Sequence, residues 1–88
     1  MKGKDQERLF KAVANKRRIA ILVFLKKRKT ARVGEIADQI RLSLKATSKH
    51  LGVLHAAGFV DREQKSMEMH YRLADDLSQS AKAILAIV

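Results

Sequence analysis

The stretch Val33–Gly58, VGEIADQIRLSLKATSKHLGVLHAAG, decides the fold. Ile36, Ala37 and Ile40 fall on one side, with Glu35, Asp38 and Gln39 on the other, which predicts a short amphipathic helix over about Val33–Ile40. Arg41-Leu42 leaves room only for a tight connection. Ser43 is a good N-cap. Thr47, Leu51, Leu54 and Gly58 then recur at i, i+4, i+7 and i+11, the packed face of a second helix over Leu44–Ala57. Gly58 is placed to close that helix in the left-handed conformation.

Upstream, Leu9, Phe10 and Val13 make an apolar stripe on a helix over about Asp5–Ala14. Asn15 can cap a following helix over Lys16–Lys27, where Ile19, Leu22 and Val23 share a face that Ile21, Phe24 and Leu25 widen. Its basic end, Lys26 to Lys29, suits the negative pole of the helix dipole and reads as a solvated terminus. Thr30–Arg32 is a short extended piece. Downstream the period changes to two: Phe59–Gln64 is one strand, and in the next Met67, Met69, Tyr71 and Leu73 alternate with Glu68, His70 and Arg72. Lys65-Ser66 is the turn between them. Asp75 or Asp76 is expected to cap a last helix over about 76–87. This order describes a winged helix-turn-helix: mostly α, with a small β-hairpin wing, as one domain over residues 1–88. In such a fold the second helix of the pair enters the major groove, led by its N-terminal residues.

Charge agrees with that reading. Nineteen Lys and Arg stand against nine Asp and Glu, a net +10, which marks a polyanion binder. The excess is uneven: residues 1–58 hold fifteen basic and four acidic residues, residues 59–88 four and five. The basic part faces the polyanion, and the nearly neutral tail has another task. Only four aromatic residues are present, too few for the stacking platforms of single-strand binders, so duplex DNA is favoured. No cysteine is present, which excludes disulfides, thiolate metal sites and cysteine nucleophiles. No apolar run approaches the roughly 20 residues of a membrane span, and no signal peptide is visible.

Five segments resemble the ArsR-type winged-helix repressors of bacteria and archaea. They are Ala14-Asn15-Lys16-Arg17-Arg18-Ile19-Ala20-Ile21-Leu22, Val33-Gly34-Glu35-Ile36-Ala37, Ser48-Lys49-His50-Leu51-Gly52-Val53-Leu54, Ala57-Gly58-Phe59-Val60 and Tyr71-Arg72-Leu73. The ordered set spans about three quarters of the chain with the family's spacing. The resemblance implies a cytoplasmic, nucleoid-associated prokaryotic regulator, and a two-fold dimer built by the first and last helices. Three departures stand out. Lys16 replaces the family's usual proline. Arg32, Val33 and Gly34 occupy positions where many members carry metal-binding cysteines. The last helix has no histidine. The family's metal sensing is therefore not carried over, and no cofactor is expected.

Lys45, Ala46, Ser48 and Lys49 fall on the exposed face of the recognition helix, where base edges and phosphates are met; lysine can reach a guanine edge. Ser43 is a cap whose hydroxyl can also meet a phosphate. Thr47 belongs to the core. His50, at the edge of the packed face, either meets a phosphate or makes a local structural bond. Lys65 at the wing tip is expected at the minor groove or backbone, and Arg62 either there or paired with Glu68 across the hairpin. Arg17 and Arg18 open the second helix and are read as phosphate contacts or solvated charges; Arg18 matches a family arginine. The dimer is expected to use Leu9, Phe10, Val13, Leu77, Ala81, Ile84, Leu85 and Val88.

His50 and His55 lie about 140° apart around one helix, which disfavours a shared metal site. No glycine-rich phosphate loop, nucleophile elbow or ligand spacing supports enzyme chemistry. The reading is a homodimeric, sequence-specific duplex-DNA regulator, a repressor of palindromic operators. The rival is an architectural protein with little sequence preference, favoured by the high charge and by small residues at reading positions.

Overall fold

Residues 3–88 are described by a computed structural model. The order is α1 (Gly3–Val13), α2 (Lys16–Arg28), β1 (Thr30–Arg32), α3 (Val33–Ile40), α4 (Leu44–Ala56), β2 (Val60–Lys65), β3 (Glu68–Leu73) and α5 (Gln79–Ile87). The fold is the winged helix-turn-helix read from the sequence, with β1 joining the hairpin as a third strand in the order β1-β3-β2, all antiparallel.

The helix boundaries follow from local chemistry. The Asn15 side chain accepts from the Arg17 and Arg18 amides at 2.9 and 3.1 Å and starts α2. Arg41 adopts φ 56°, a left-handed cap that turns the chain between α3 and α4. Ser43 Oγ accepts from the Ala46 amide at 3.1 Å and starts α4. At its end Gly58 takes φ +84°, its amide donates to His55 O, and the Phe59 amide donates to Leu54 O, each at 3.0 Å. That pair of bonds is a Schellman closure, and the fully buried Phe59 and Leu54 supply the apolar contact that accompanies it.

Helix α2 runs through the middle of the core. Its buried residues are Ile21, Leu22 and Leu25; Ile19, Val23 and Phe24, expected on the same face, are only half-buried. Around it gather Leu9 and Ala12 of α1, Ile36 and Ile40 of α3, Leu51 and Leu54 of α4, Phe59, Val60 and Tyr71 of the hairpin region, and Ala81, Ile84 and Leu85 of α5.

Three local expectations are corrected. Met67 does not face inward: it shares the hairpin tip with Ser66, is 92% exposed, and Lys65 pairs with Glu68 in the ladder. A two-residue turn needs positions that leave the alternation, and Ser66 takes φ 55° to make it. The last helix starts later than expected. Ser78, not Asp75 or Asp76, accepts from the Ala81 amide at 3.1 Å, while Asp75 faces Arg72 at 3.5 Å. Leu77 is thereby packed against the core ahead of the helix. Lys26 is not simply solvated: its Nζ donates to Leu85 O at 2.8 Å and Val88 O at 3.1 Å. A cation there satisfies carbonyls at the end of α5.

Candidate nucleic-acid interface

Helix α4 packs through Thr47, Leu51 and Leu54, all fully buried. At 100° per residue the opposite side of the cylinder carries Lys45, Lys49, Gly52 and Ala56. Lys45, Ser48 and Lys49 are exposed and Ala46 is half-buried. The first two turns thus present two ammonium groups, that of Lys45 beside a helix N-terminus, whose free amides and dipole favour an anion. Ser43 Oγ accepts the Ala46 amide, and its own proton remains available to an outside acceptor. Arg41, in sequence only part of a tight connection, is exposed in the turn just ahead of this end. Its signal was a basic residue next to a predicted N-cap.

The register of the wing sorts its charges onto two faces. Directly opposed residues share a face, so Arg62 lies on the side of Tyr71, and Gln64 on the side of Met69. Tyr71 is buried, so this is the side that continues the core. The other face is internally neutralised: Arg72–Asp61 at 3.8 Å, Lys65–Glu63 at 3.8 Å and Arg32–Glu68 at 3.1 Å. The Arg62–Glu68 pair considered from the sequence does not form, because Arg62 stands opposite Tyr71 and Glu68 is held by Arg32. Among the described residues Arg62 has no carboxylate partner. Lys65 is exposed one position before the tip, beside Glu63.

Arg17 and Arg18 are not simply solvated. Both are half-buried and work inside the subunit. Arg17 Nη1 donates to Ile40 O at 2.6 Å, closing the end of α3. Arg18 Nε donates to Ala12 O at 2.6 Å, Nη2 to Lys11 O at 3.2 Å, and Nη1 lies 3.2 Å from His50 Nδ1. Arginine can only donate, so Nδ1 carries the lone pair and the His50 proton sits on Nε2. Burial first, then the charges of Arg18, Arg17 and Lys49, push the His50 imidazole below its ordinary value, which keeps it neutral.

The apolar residues expected at a dimer contact divide. Leu9, Ala81, Ile84 and Leu85 are buried in the core of one subunit; Val13, Leu77 and Val88 are half-buried against it. Phe10 is 60% exposed, and Ile87, which the sequence reading left out, is 83% exposed. Helical phase is the reason: on α1 the inward line runs through Leu9 and Ala12, so Phe10 turns outward.

The profile described as bacterial regulatory protein, arsR family, matches residues 15–62. The chain belongs to the ArsR family. It is 34% identical over 80 residues to the transcriptional activator HlyU of Vibrio cholerae, covering 91% of this chain and 70% of that one. It is 39% identical over 67 residues to the HTH-type transcriptional repressor SmtB of Mycobacterium tuberculosis, covering 76% of this chain and about half (49%) of that one. A homodimeric winged helix-turn-helix DNA-binding domain of Mycobacterium bovis, described as a possible ArsR-family regulator, superposes with a TM-score of 0.82 at 27% identity, covering 96% of this chain and 74% of that one.

This ArsR-family chain is thus a winged helix-turn-helix transcriptional regulator, a class that is not enzymatic. The matched residues 15–62 run from the α2 cap to Arg62, so they include α3, α4 and the first part of the wing. Among the described residues no group of three or more His, Cys, Asp or Glu is arranged to hold a metal ion, and no helix is long and apolar enough to cross a membrane.

Proposed function

We propose that this regulator binds a specific, palindromic duplex-DNA operator as a homodimer, with α4 in the major groove and the hairpin of β2 and β3 against the backbone or minor groove. The observation that carries the reading is the outward face of α4, where Lys45 and Lys49 stand beside the Ser43-capped N-terminus. Lys49, Lys45, Ser48 and Ala46 meet base edges and phosphates, and Ser43, Arg41, Arg62 and Lys65 meet phosphates. Arg17, Arg18 and His50 serve from behind. Phe10 and Ile87 supply exposed apolar surface on α1 and α5 for a two-fold contact, and the homodimeric Mycobacterium bovis domain supports it. Regulation by occlusion of a promoter, hence repression, needs only tight binding at the site. The named relatives include both an activator and a repressor, so the direction of regulation is part of the proposal. Its place of action is the cytoplasmic nucleoid, where such a site is found.

Selection from a random duplex library at about 150 mM salt with excess competitor tests this. The expected product is an inverted repeat whose half-sites lie about 10 bp, one helical turn, apart or a multiple of that. Affinity for it is expected to exceed nonspecific affinity by about 10³-fold or more. Eight phosphate contacts per dimer correspond to a log–log salt slope near −7, and Lys45→Ala reduces it by roughly 2 if the side chain meets one phosphate in each subunit. Binding without a recovered motif refutes the specific reading in favour of an architectural protein. No binding refutes both.

A further inference from the structure

Helix α4 is held to the rest of the subunit mainly by Thr47, Leu51 and Leu54, all fully buried, and burial of apolar surface is by itself a non-directional force. Among the described residues a single side-chain hydrogen bond joins α4 to another helix: that between Arg18 and His50. The same guanidinium closes the end of α1 through Ala12 O and Lys11 O. A planar, permanently charged fork thus ties the C-terminal carbonyls of α1 to the middle of the recognition helix through three bonds of defined direction. One end of this route is next to Phe10, the exposed aromatic of α1; the other is next to Lys49, on the outward face of α4.

We propose that Arg18 and His50 form a positioning latch that fixes the angle of α4 relative to α1 and so sets the half-site spacing that the dimer accepts. The inference rests on the reading of the chain as a DNA-binding dimer joined through α1. Neither residue needs to touch DNA. If α1 is held by its two-fold partner, any rotation of α4 against α1 changes the distance and angle between the two recognition helices. One base pair of spacing moves a half-site by about 3.4 Å and roughly 34–36° around the duplex, so a loosened latch shows first as lost spacing discrimination.

The test uses the full chain in three forms: wild type, His50→Ala and His50→Asn. Asparagine can place Oδ1 close to the position of Nδ1 and accept from Arg18, whereas alanine cannot. Binding is measured to the selected inverted repeat, to versions one base pair shorter and longer, and to an isolated half-site. His50→Ala is expected to weaken binding at the native spacing by about tenfold, because α4 then holds the competent angle only part of the time, and the isolated half-site by less than about twofold. His50→Asn is expected to restore the preference. Equal loss at every spacing and at the half-site, or unchanged binding in His50→Ala, overturns the latch. So does failure of asparagine to rescue while the melting temperature is kept. A second measurement needs no DNA. Nitrogen-15 NMR of the free protein is expected to show His50 protonated at Nε2 with Nδ1 accepting, and Arg18→Lys to shift the Nδ1 resonance. The opposite tautomer refutes the latch whatever the DNA results. The expected tautomer in a chain that selects no DNA motif refutes the operator reading, and with it the spacing role.

Discussion

Thr47 offers a sharp test of how α4 is held. It is fully buried at the centre of the packed face, and among the described residues its hydroxyl oxygen has no hydrogen-bond partner. Leaving a buried hydroxyl unsatisfied costs about 1–3 kcal/mol of lost hydration. Valine replaces the hydroxyl by a methyl at nearly the same shape, keeps the β-branch, and has a similar helix propensity. Thr47→Val is therefore expected to stabilise the fold by about 1–2 kcal/mol, which raises the melting temperature by roughly 4–8 °C per kcal/mol in a domain of this size. Thr47→Ser keeps the hydroxyl and loses a buried methyl, so it is expected to destabilise by about 1 kcal/mol. Urea titrations followed by circular dichroism, at one protein concentration because a dimer's midpoint depends on it, give both values; the midpoint should move at constant slope. A Thr47→Val variant no more stable than wild type means that the hydroxyl has a partner, such as a buried water, and the reasoning fails. Operator affinity is expected to stay unchanged, since Thr47 faces away from Lys45 and Lys49.

Other consequences follow from the same geometry. Gly52 sits inside α4 with nothing within 4 Å of where a Cβ would stand, so Gly52→Ala should stabilise by about 0.5–1 kcal/mol, whereas Gly58→Ala, at φ +84°, should destabilise by about 1–2 kcal/mol; thermal melts showing the same sign for both contradict this. The Glu35 carboxyl accepts the Arg32 amide at 2.9 Å and Arg28 Nη2 at 2.6 Å, and these bonds, the backbone bond foremost, hold it at about 2 instead of 4.5. Its stabilising contribution is fully present above pH 4.5 and lost as pH falls towards 2, so the gap between wild type and Glu35→Gln in urea midpoint should close across that window. A constant gap refutes the assignment. Phe10→Asp should shift the protein to monomer in sedimentation equilibrium while its helical signal persists, and an intact dimer removes Phe10 from the interface.

The element order, the caps at Asn15 and Ser43 and the Schellman glycine were legible because each depends on residues within one turn of chain. Apolar periodicity likewise marked Thr47, Leu51 and Leu54 as the inward face of α4, and so Lys45 and Lys49 as the outward one. Charge imbalance pointed to a polyanion, and spacing to the fold.

Tertiary structure alone decided what the cations do. Arg17, Arg18 and Lys26 look in the sequence like any surface charges, yet each closes carbonyls of a helix that is distant in the chain or across a corner. The carbonyls at a helix end need donors, and which cation reaches them depends on how helices cross, not on local pattern. In the wing, a shift of one place in the tip put Met67 in solvent, and the ladder set Arg62 opposite Tyr71, on the face away from Glu68, because strand register fixes the face of every side chain at once. The apolar stripes of α1 and α5 were visible in the sequence, but which of their residues the subunit itself covers was settled by packing, which buried Leu9, Ile84 and Leu85 and left Phe10 and Ile87 outside.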